Sequence, residues 1–222
     1  MSTHTHYQGI DVSMWEGRIH FDRVRKAGIR LVYIKASEGT NQIDPYFERN
    51  YRDAYREGLA IGFYHYVLAR TTAEAEAEAR FFASNIREKA QHAKPAMDFE
   101  EFGDLNREEV REISLRFLTT LEAESGHRPV VYSDSSNAST QFNDDRFREY
   151  PLWIAEYDVS RPNMENPWRN WSGWQYTDEG KVDGIHGHVD RDHFRRSILL
   201  DEQVEPCRED SRIEQDLPPI LR

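Results

Sequence analysis

The sequence predicts an α/β fold, an irregular TIM-like (β/α)5(β)3 barrel in a single domain. Five strand–helix units follow one another along the first part of the chain, which is typical of a parallel sheet covered by helices. Three further strand segments come after them, with no room for long helices between them. A length of 222 residues also fits one domain with a sizeable core.

The first two units are short. A strand is predicted at residues 8–13, followed by a helix at 21–27 that ends at Gly28, and the second strand is predicted at 30–37. The next helix is expected to start with Asp44 as its N-cap and Pro45 in its first turn. One helical stripe then follows, formed by Phe47, Tyr51, Ala54 and Tyr55, before Gly58.

Capping signals mark the two longer helices. Thr71 with Glu74, and Asn106 with Glu109, have the spacing of capping boxes, and Gly126 ends the second of these helices. Apolar residues repeat at helical intervals after each box. They are Ala75, Ala79, Phe82 and Ile86 in one helix, and Val110, Ile113, Phe117 and Leu121 in the other.

The remaining strands alternate with these helices and then follow one another directly. The third to fifth strands are predicted at 59–67, 94–100 and 128–133, and the last three at 150–157, 171–177 and 186–192. Because the late connections are short, we expect one or more late strands to run antiparallel. The barrel is expected to occupy residues 1–200, with an acidic C-terminal tail at 201–222.

Charge and composition exclude several function classes. The net charge of −11 argues against nucleic-acid binding as the function, because phosphate recognition needs a basic surface. No apolar run approaches the roughly 20 residues that span a bilayer, so we expect no membrane insertion. The single cysteine, Cys207, precludes an internal disulfide, and the first residues show no apolar signal core. We therefore expect release by lysis or a non-classical export route.

Acidic residues stand at the ends of several predicted strands. Asp98 and Glu100 alternate with Phe99, so the two carboxylates share one face near the active end of a barrel strand. Asp11 ends the first strand and Asp190 lies on the last, and these strands are neighbours in a closed barrel. Four carboxylates at one barrel mouth are electrostatically unfavourable because they repel one another. Such a cluster therefore indicates a functional site rather than a packing arrangement.

Paired carboxylates suit glycoside hydrolysis. One acid protonates the leaving oxygen while a negative group stabilises the positive centre, and crowding keeps a proton on one of them. We assign the proton donor to Glu100, whose side chain is longer. A hard-cation site is the competing reading, but the available histidines, His65, His186, His188 and His193, lack the spacing of a zinc helix.

Aromatic residues gather at the same strand ends and offer flat faces for sugar stacking. They are Tyr64, Tyr66, Tyr132, Trp153, Tyr157, Trp174 and Tyr176, and about half of them, together with Trp15, Trp168 and Trp171, are expected in the barrel core instead. Lys35 and Glu38 end the second strand and are expected either to pair with each other or to orient a site carboxylate.

These segments, in order, resemble the glycoside hydrolase family 25 lysozymes, or Chalaropsis-type muramidases, over residues 7–198. The matching segments are GIDVSMWEG, YIKASEGTNQIDPYFERNYRDAYREGLAIGFYHY, AMDFEE, RPVVYS, PLWIAEYD and WQYTDEGKVDGIHGHVDRDHF. The resemblance implies an irregular barrel of eight strands and five helices.

The resemblance also implies the chemistry. It implies cleavage of the β-1,4 bond between N-acetylmuramic acid and N-acetylglucosamine in peptidoglycan, with retention. Direct attack by Asp98 and attack by the substrate's 2-acetamido group both remain open, and we favour the acetamido group because muropeptide sugars carry it. The catalytic set becomes Glu100, Asp98, Asp11 and Asp190. The residues implied to bind substrate are Tyr64, Tyr132, Trp153, Tyr157 and Gln175, to which we add Lys35 and Glu38.

The expected partner is therefore the glycan strand of the bacterial cell wall, outside the cytoplasm. We expect a monomer with no metal or other cofactor. Two alternatives remain open at this stage: a related glycosidase acting on chitin-like oligosaccharides, and a non-catalytic peptidoglycan-binding barrel.

Overall fold

The structure is a computed structural model that describes residues 6–200. Nine strands and five α-helices alternate along this part of the chain. The strands are β1 Tyr7–Val12, β2 Leu31–Glu38, β3 Gln42–Ile43, β4 Ala60–Tyr66, β5 Ala96–Asp98, β6 Val130–Asp134, β7 Leu152–Ala155, β8 Gly173–Gly180 and β9 Val189–Phe194. The helices are α1 Phe21–Lys26, α2 Phe47–Arg56, α3 Thr72–Ile86, α4 Arg107–Ser125 and α5 Ser135–Thr140, with 3-10 turns at Met14–Glu16, Asp145–Phe147 and Arg196–Ile198.

Eight of the strands close into a barrel, because β1 pairs with β2 on one side and with β9 on the other. The short β3 only extends the edge of β2 as an antiparallel partner. The pairings from β1 through β2 and β4 to β8 are parallel, whereas β9 is antiparallel to both of its neighbours. The predicted irregular barrel is therefore confirmed, including an antiparallel late strand.

Two apolar layers hold the barrel. The outer layer packs the helices against the strands and includes Phe82 of α3 and Phe117 of α4. The inner layer fills the barrel beneath its mouth with the rings of Tyr33, Trp153 and Phe194, whose centroids lie 4.6–5.5 Å apart. These rings form a rigid floor on which polar residues at the strand ends can stand.

The local capping signals act as the sequence predicts for the long helices. Thr71 with Glu74 and Asn106 with Glu109 both form complete capping boxes. Gly126 ends α4 in the left-handed conformation that a glycine adopts without strain.

Three local expectations are wrong. Asp44 does not cap α2; its carboxylate instead accepts backbone hydrogen bonds from Tyr46 at 2.8 Å and from Met14 at 3.0 Å, so it ties the β2–α2 loop to the turn after β1. Tyr55 is exposed, because the buried side of α2 is narrower than the predicted stripe. Trp15, expected in the core, is 79% exposed because it lies in the irregular Met14–Glu16 turn.

The expected tail at 201–222, with Cys207, lies outside the described residues. Within residues 6–200, no helix combines the length and the apolarity that a bilayer-spanning segment needs.

Candidate active site

A pocket of about 220 Å³ opens where the parallel strands end. Because β9 runs the opposite way, it is the beginning of β9 that reaches this end of the barrel. The lining residues are mostly polar or aromatic: Asp11, Val12, Ser13, Trp15, Glu16, Lys35, Tyr64, Tyr66, Asp98, Glu100, Tyr132, Trp153, Gln175 and Asp190. All four of the carboxylates singled out in the sequence are among them.

Asp98 and Glu100 come from the end of β5. Asp98 is the last residue of the strand and is 8% exposed, while Glu100 lies two positions further on and is exposed. Phe99, between them, is buried on the opposite side, where its ring packs against Phe102 in the outer layer. The alternation predicted from the sequence therefore holds beyond the last hydrogen-bonded residue of the strand.

The two carboxyl groups of this pair share a hydrogen bond, and the pKa of each is raised. Burial is the main cause for both, and the charge of Glu100 raises the pKa of Asp98 further. The shared hydrogen bond raises the pKa of Asp98 further, so the pair holds a proton between its two carboxyls. Two carboxyls that share one proton titrate as a unit.

Asp11 and Asp190 form a second pair across the seam of the barrel. The two residues are directly opposite each other in the antiparallel ladder of β1 and β9. Burial and then the charge of Asp11 raise the pKa of Asp190 to about 9, while burial and the charge of Asp192 raise the pKa of Asp11. A hydrogen bond with Asp11 raises the pKa of Asp190 further.

Gln175 of β8 links these acids to the aromatic wall. Its side-chain nitrogen donates to Asp11 Oδ2 at 2.9 Å. Its side-chain oxygen accepts from the hydroxyls of Tyr132 at 2.9 Å and Tyr157 at 2.6 Å. The two hydroxyl donors fix which end of the amide faces Asp11, so Gln175 holds that carboxylate in place.

A bulge in β2 directs Lys35 into the pocket. The pairing of β2 with β4 slips between Lys35 and Ser37, so that these residues face opposite sides rather than the same side. Lys35 Nζ lies 2.7 Å from Glu38 Oε2 and 4.8 Å from the centre of the Tyr66 ring. Ser37 turns outward, where its hydroxyl lies 2.9 Å from Nδ1 of the buried His65.

The predicted aromatic residues occupy different depths. Tyr64 and Tyr132 line the pocket, and Trp153 lies at its floor with only 2% of its surface exposed. Tyr157 and Glu38 are not part of the lining and reach it only through Gln175 and Lys35.

Three site residues were missed by the sequence argument. Trp15 and Glu16 line the pocket from the Met14–Glu16 turn, where the Glu16 carboxylate accepts from the Ser13 backbone at 2.7 Å. Asp192 is fully buried beneath Asp11 and accepts from Trp153 Nε1 at 2.8 Å. Of these three residues, only Asp192 could have been predicted from the sequence. It is two positions after Asp190 on the same strand and therefore lies on the same face.

Within residues 6–200, no group of three or more His, Cys, Asp or Glu side chains is arranged to hold a metal ion.

Comparison with known proteins identifies the family to which the chain belongs. The family model described as "Glycosyl hydrolases family 25" matches residues 10–185 of the chain. The chain belongs to glycosyl hydrolase family 25. The resemblance read from the strand-end motifs is thus confirmed.

Relatives of this family 25 enzyme include Lysozyme M1 from Streptomyces globisporus, which is 34% identical over 86% of this chain and 68% of that protein. The Autolytic lysozyme from Clostridium acetobutylicum is also 34% identical, over 87% of this chain and 57% of its own length. The bacterial lysozyme from Streptomyces coelicolor, a solved structure, matches with a TM-score of 0.76 at 32% identity, covering 87% of this chain and 93% of that one. The family 25 chain is a glycoside hydrolase with lysozyme activity.

Proposed function

We propose that this lysozyme cleaves the β-1,4 bond between N-acetylmuramic acid and N-acetylglucosamine in bacterial peptidoglycan, with Glu100 as proton donor and Asp98 as its partner. The observation that carries the proposal is the pair of hydrogen-bonded carboxyls in the pocket, which holds a proton because both pKa values are raised. A general acid must keep its proton at working pH and still reach the leaving oxygen. The exposed Glu100 has the reach, and the buried Asp98 has not.

The proton held by the pair has to lie on Glu100 when the reaction begins. Oδ1 of Asp98 is buried and receives no hydrogen bond from a donor group of the described residues. The N–H of a 2-acetamido group on the substrate is the right donor for such an oxygen, and hydrogen bonding to a carboxylate stabilises its charged form. Substrate binding therefore favours an ionised Asp98 and a protonated Glu100.

The chemical step then follows with retention. Glu100 gives its proton to the glycosidic oxygen as the bond to C1 breaks, and the carbonyl oxygen of the acetamido group bonds to C1 from the opposite face. Asp98 stabilises the positive charge that spreads over the resulting ring. Ionised Glu100 next takes a proton from water, whose oxygen bonds to C1 and reopens the ring. Two inversions restore the original configuration.

The remaining site residues supply the surroundings for this step. The negative charge of Asp11 raises the pKa of Asp98, which helps the carboxyl pair to keep its proton. Trp15 and Tyr64 border the pocket as surfaces for sugar rings, and Lys35 adds a positive charge at its edge. The barrel of residues 1–200 is the part of the chain that acts, and it acts at the bacterial cell wall.

The test is a digestion of purified peptidoglycan followed by mass spectrometry of the products. Reduction with borohydride should convert only muramic acid ends, and chitin oligosaccharides should be poor substrates. Glu100→Gln should lower kcat by about 10²–10⁴-fold, the usual contribution of a general acid, without loss of folding. Glu88→Gln, at an exposed position outside the pocket lining, is the matched control and should keep near-normal activity.

The role of the acetamido group needs a separate substrate. Glycans with a free amine on the muramic acid should be cleaved far more slowly if the acetamido oxygen attacks C1. Normal cleavage of these glycans, with a sugar trapped covalently on Asp98, would instead establish direct attack by the carboxylate. Glucosamine at the new reducing ends would reject the proposed bond.

A further inference from the structure

A second cavity of about 510 Å³ lies outside the carboxylate pocket, between the β1–α1 segment and the β8–β9 connection. Five of its lining side chains are basic: Arg18, His20, Arg23, Lys181 and His186. We call this cavity the basic groove. Its composition is unexpected on a chain whose net charge is −11.

The charge of the basic groove is only partly neutralised. Asp183 is its single acidic lining residue, and that carboxylate forms an ion pair with Arg23. Arg18 and Lys181 are exposed, and neither forms an ion pair within residues 6–200. Two positive charges therefore face the groove from opposite walls, which suits an anionic ligand.

The walls of the basic groove are fixed relative to each other. The backbone N–H of His20 donates to the carbonyl of Gly184 at 2.8 Å. Gly184 has a φ of +102°, and a Cβ there would lie 2.5 Å from the carbonyl oxygen of His20. Val24 and Val182 are buried at the junction. The groove is thus pre-formed rather than shaped by its ligand.

The basic groove borders the carboxylate pocket along the chain. Trp15 and Glu16 line the pocket, while Arg18 and His20, two and four positions after Glu16, line the groove. A polymer whose sugar sits over the pocket would carry its substituents past this segment.

We infer that the basic groove binds carboxylates of the peptide stem attached to N-acetylmuramic acid, and so selects peptide-bearing glycan over bare glycan. The inference rests on the proposed function. In peptide-bearing glycan the lactyl carboxyl of muramic acid is tied up in an amide and the sugar rings are uncharged, whereas the stem carries side-chain and terminal carboxylates. The stem is joined covalently to the muramic acid ring, so every cleavage brings it next to the pocket. Phosphodiester polymers of the wall share the negative charge, and a competition experiment separates the two sources.

The test measures binding without catalysis. Fluorescently labelled glycan strands, prepared either with peptide stems or with the stems removed and the freed lactyl carboxylates converted to primary amides, are titrated with the Glu100→Gln protein by anisotropy; both preparations are free of phosphodiester polymers. Adding Arg18→Gln and Lys181→Gln together should weaken binding to peptide-bearing strands about fivefold, the size expected for two exposed charge contacts. Binding to stripped strands should not change. The difference should shrink as salt is raised, because the contacts are screened.

The matched control removes two positive charges elsewhere. Arg25→Gln with Arg169→Gln lowers the net charge equally, and neither residue lines the groove or the carboxylate pocket. The control should bind both strands as the parent does. Equal weakening of the control would assign the effect to net charge and overturn the inference.

Two further outcomes would overturn it as well. If the double substitution weakens binding to stripped strands as much as binding to peptide-bearing strands, the groove contacts sugar rather than the stem. If it leaves the affinity for peptide-bearing strands unchanged, the groove contacts neither sugar nor stem. Competition by a purified phosphodiester polymer, but not by a free stem peptide, would assign the groove to the other anion. A wild-type protein that releases no muropeptides would reject the proposed function instead, and this result is independent of the binding measurement.

Discussion

Replacing Asp190 with asparagine should stabilise the protein at neutral pH. In the unfolded chain this carboxyl is ionised at pH 7, but in the folded protein burial and Asp11 raise its pKa to about 9. Folding at pH 7 must therefore add a proton to Asp190, at a cost in free energy. Asp190→Asn removes that cost, because the amide is neutral and can still donate to Asp11 as the protonated acid does.

The size of the effect follows from the pKa difference. About three pKa units separate the ordinary aspartate pKa of 3.8 from pH 7, and each unit corresponds to about 1.4 kcal/mol, so the ceiling is about 4 kcal/mol. Because Asp190 is only partly buried and borders an open pocket, screening by water should reduce the gain to about 1–2 kcal/mol.

The pH dependence has a definite sign. A raised pKa contributes stability that is complete below the unfolded value and is lost as pH rises through the folded value. The advantage of Asp190→Asn should therefore be near zero at pH 4, grow through pH 7 and level off above pH 9. Urea unfolding at several pH values measures it, and Asp145→Asn, at an exposed position, is the control. A pH-independent effect, or a loss of stability at pH 7, would refute the reasoning.

Three other substitutions test single contacts. Trp15→Ala should raise KM several-fold yet leave the unfolding midpoint unchanged, since the ring is 79% exposed; a lowered midpoint would assign it to the core instead. Gln175→Leu leaves two tyrosine hydroxyls and a carboxylate without their partner, and should reduce the free energy of unfolding by about 2–4 kcal/mol in a denaturant titration. A near-neutral result would show that water replaces the amide. Gly184→Ala should cost about 1–3 kcal/mol more than Gly187→Ala, because both have positive φ but only Gly184 has the His20 carbonyl in the way; equal melting temperatures would contradict this.

The convergence of the four carboxylates could be predicted because it depends on two regular features. Strand alternation fixes the shared side of Asp98 and Glu100, and barrel closure makes the first and last strands neighbours. Asp11 and Asp190 lie on those strands, so their proximity follows from topology. This proximity does not depend on the conformation of any loop.

Residues in irregular segments could not be placed in the same way. Trp15 has the composition of a core residue, and only the Met14–Glu16 turn, held by Ser13 and by the Asp44 carboxylate, turns it outward. Asp44 itself has the pattern of an N-cap, but the donor that competes for it comes from a turn 30 positions earlier in the chain. Sequence periodicity does not report such distant partners.

The position of the shared proton was also beyond the sequence. Side-chain length favours Glu100 as its holder, but burial raises the pKa of Asp98 as well, so the two carboxyls hold the proton as a pair. Burial depends on the ring of residues around the pocket, which only the assembled barrel defines.

The antiparallel seam between β1 and β9 has a consequence for biosynthesis. A chain leaving the ribosome has made β1 long before the strand that supplies Asp190, and the two are 179 positions apart. Pairing over such a separation is a slow, late event in folding. A nascent or prematurely terminated polypeptide therefore carries one half of the Asp11–Asp190 pair and an unclosed barrel wall. Hydrolytic competence should appear only with the final strand, so that incomplete copies made inside a cell would be harmless to its own wall.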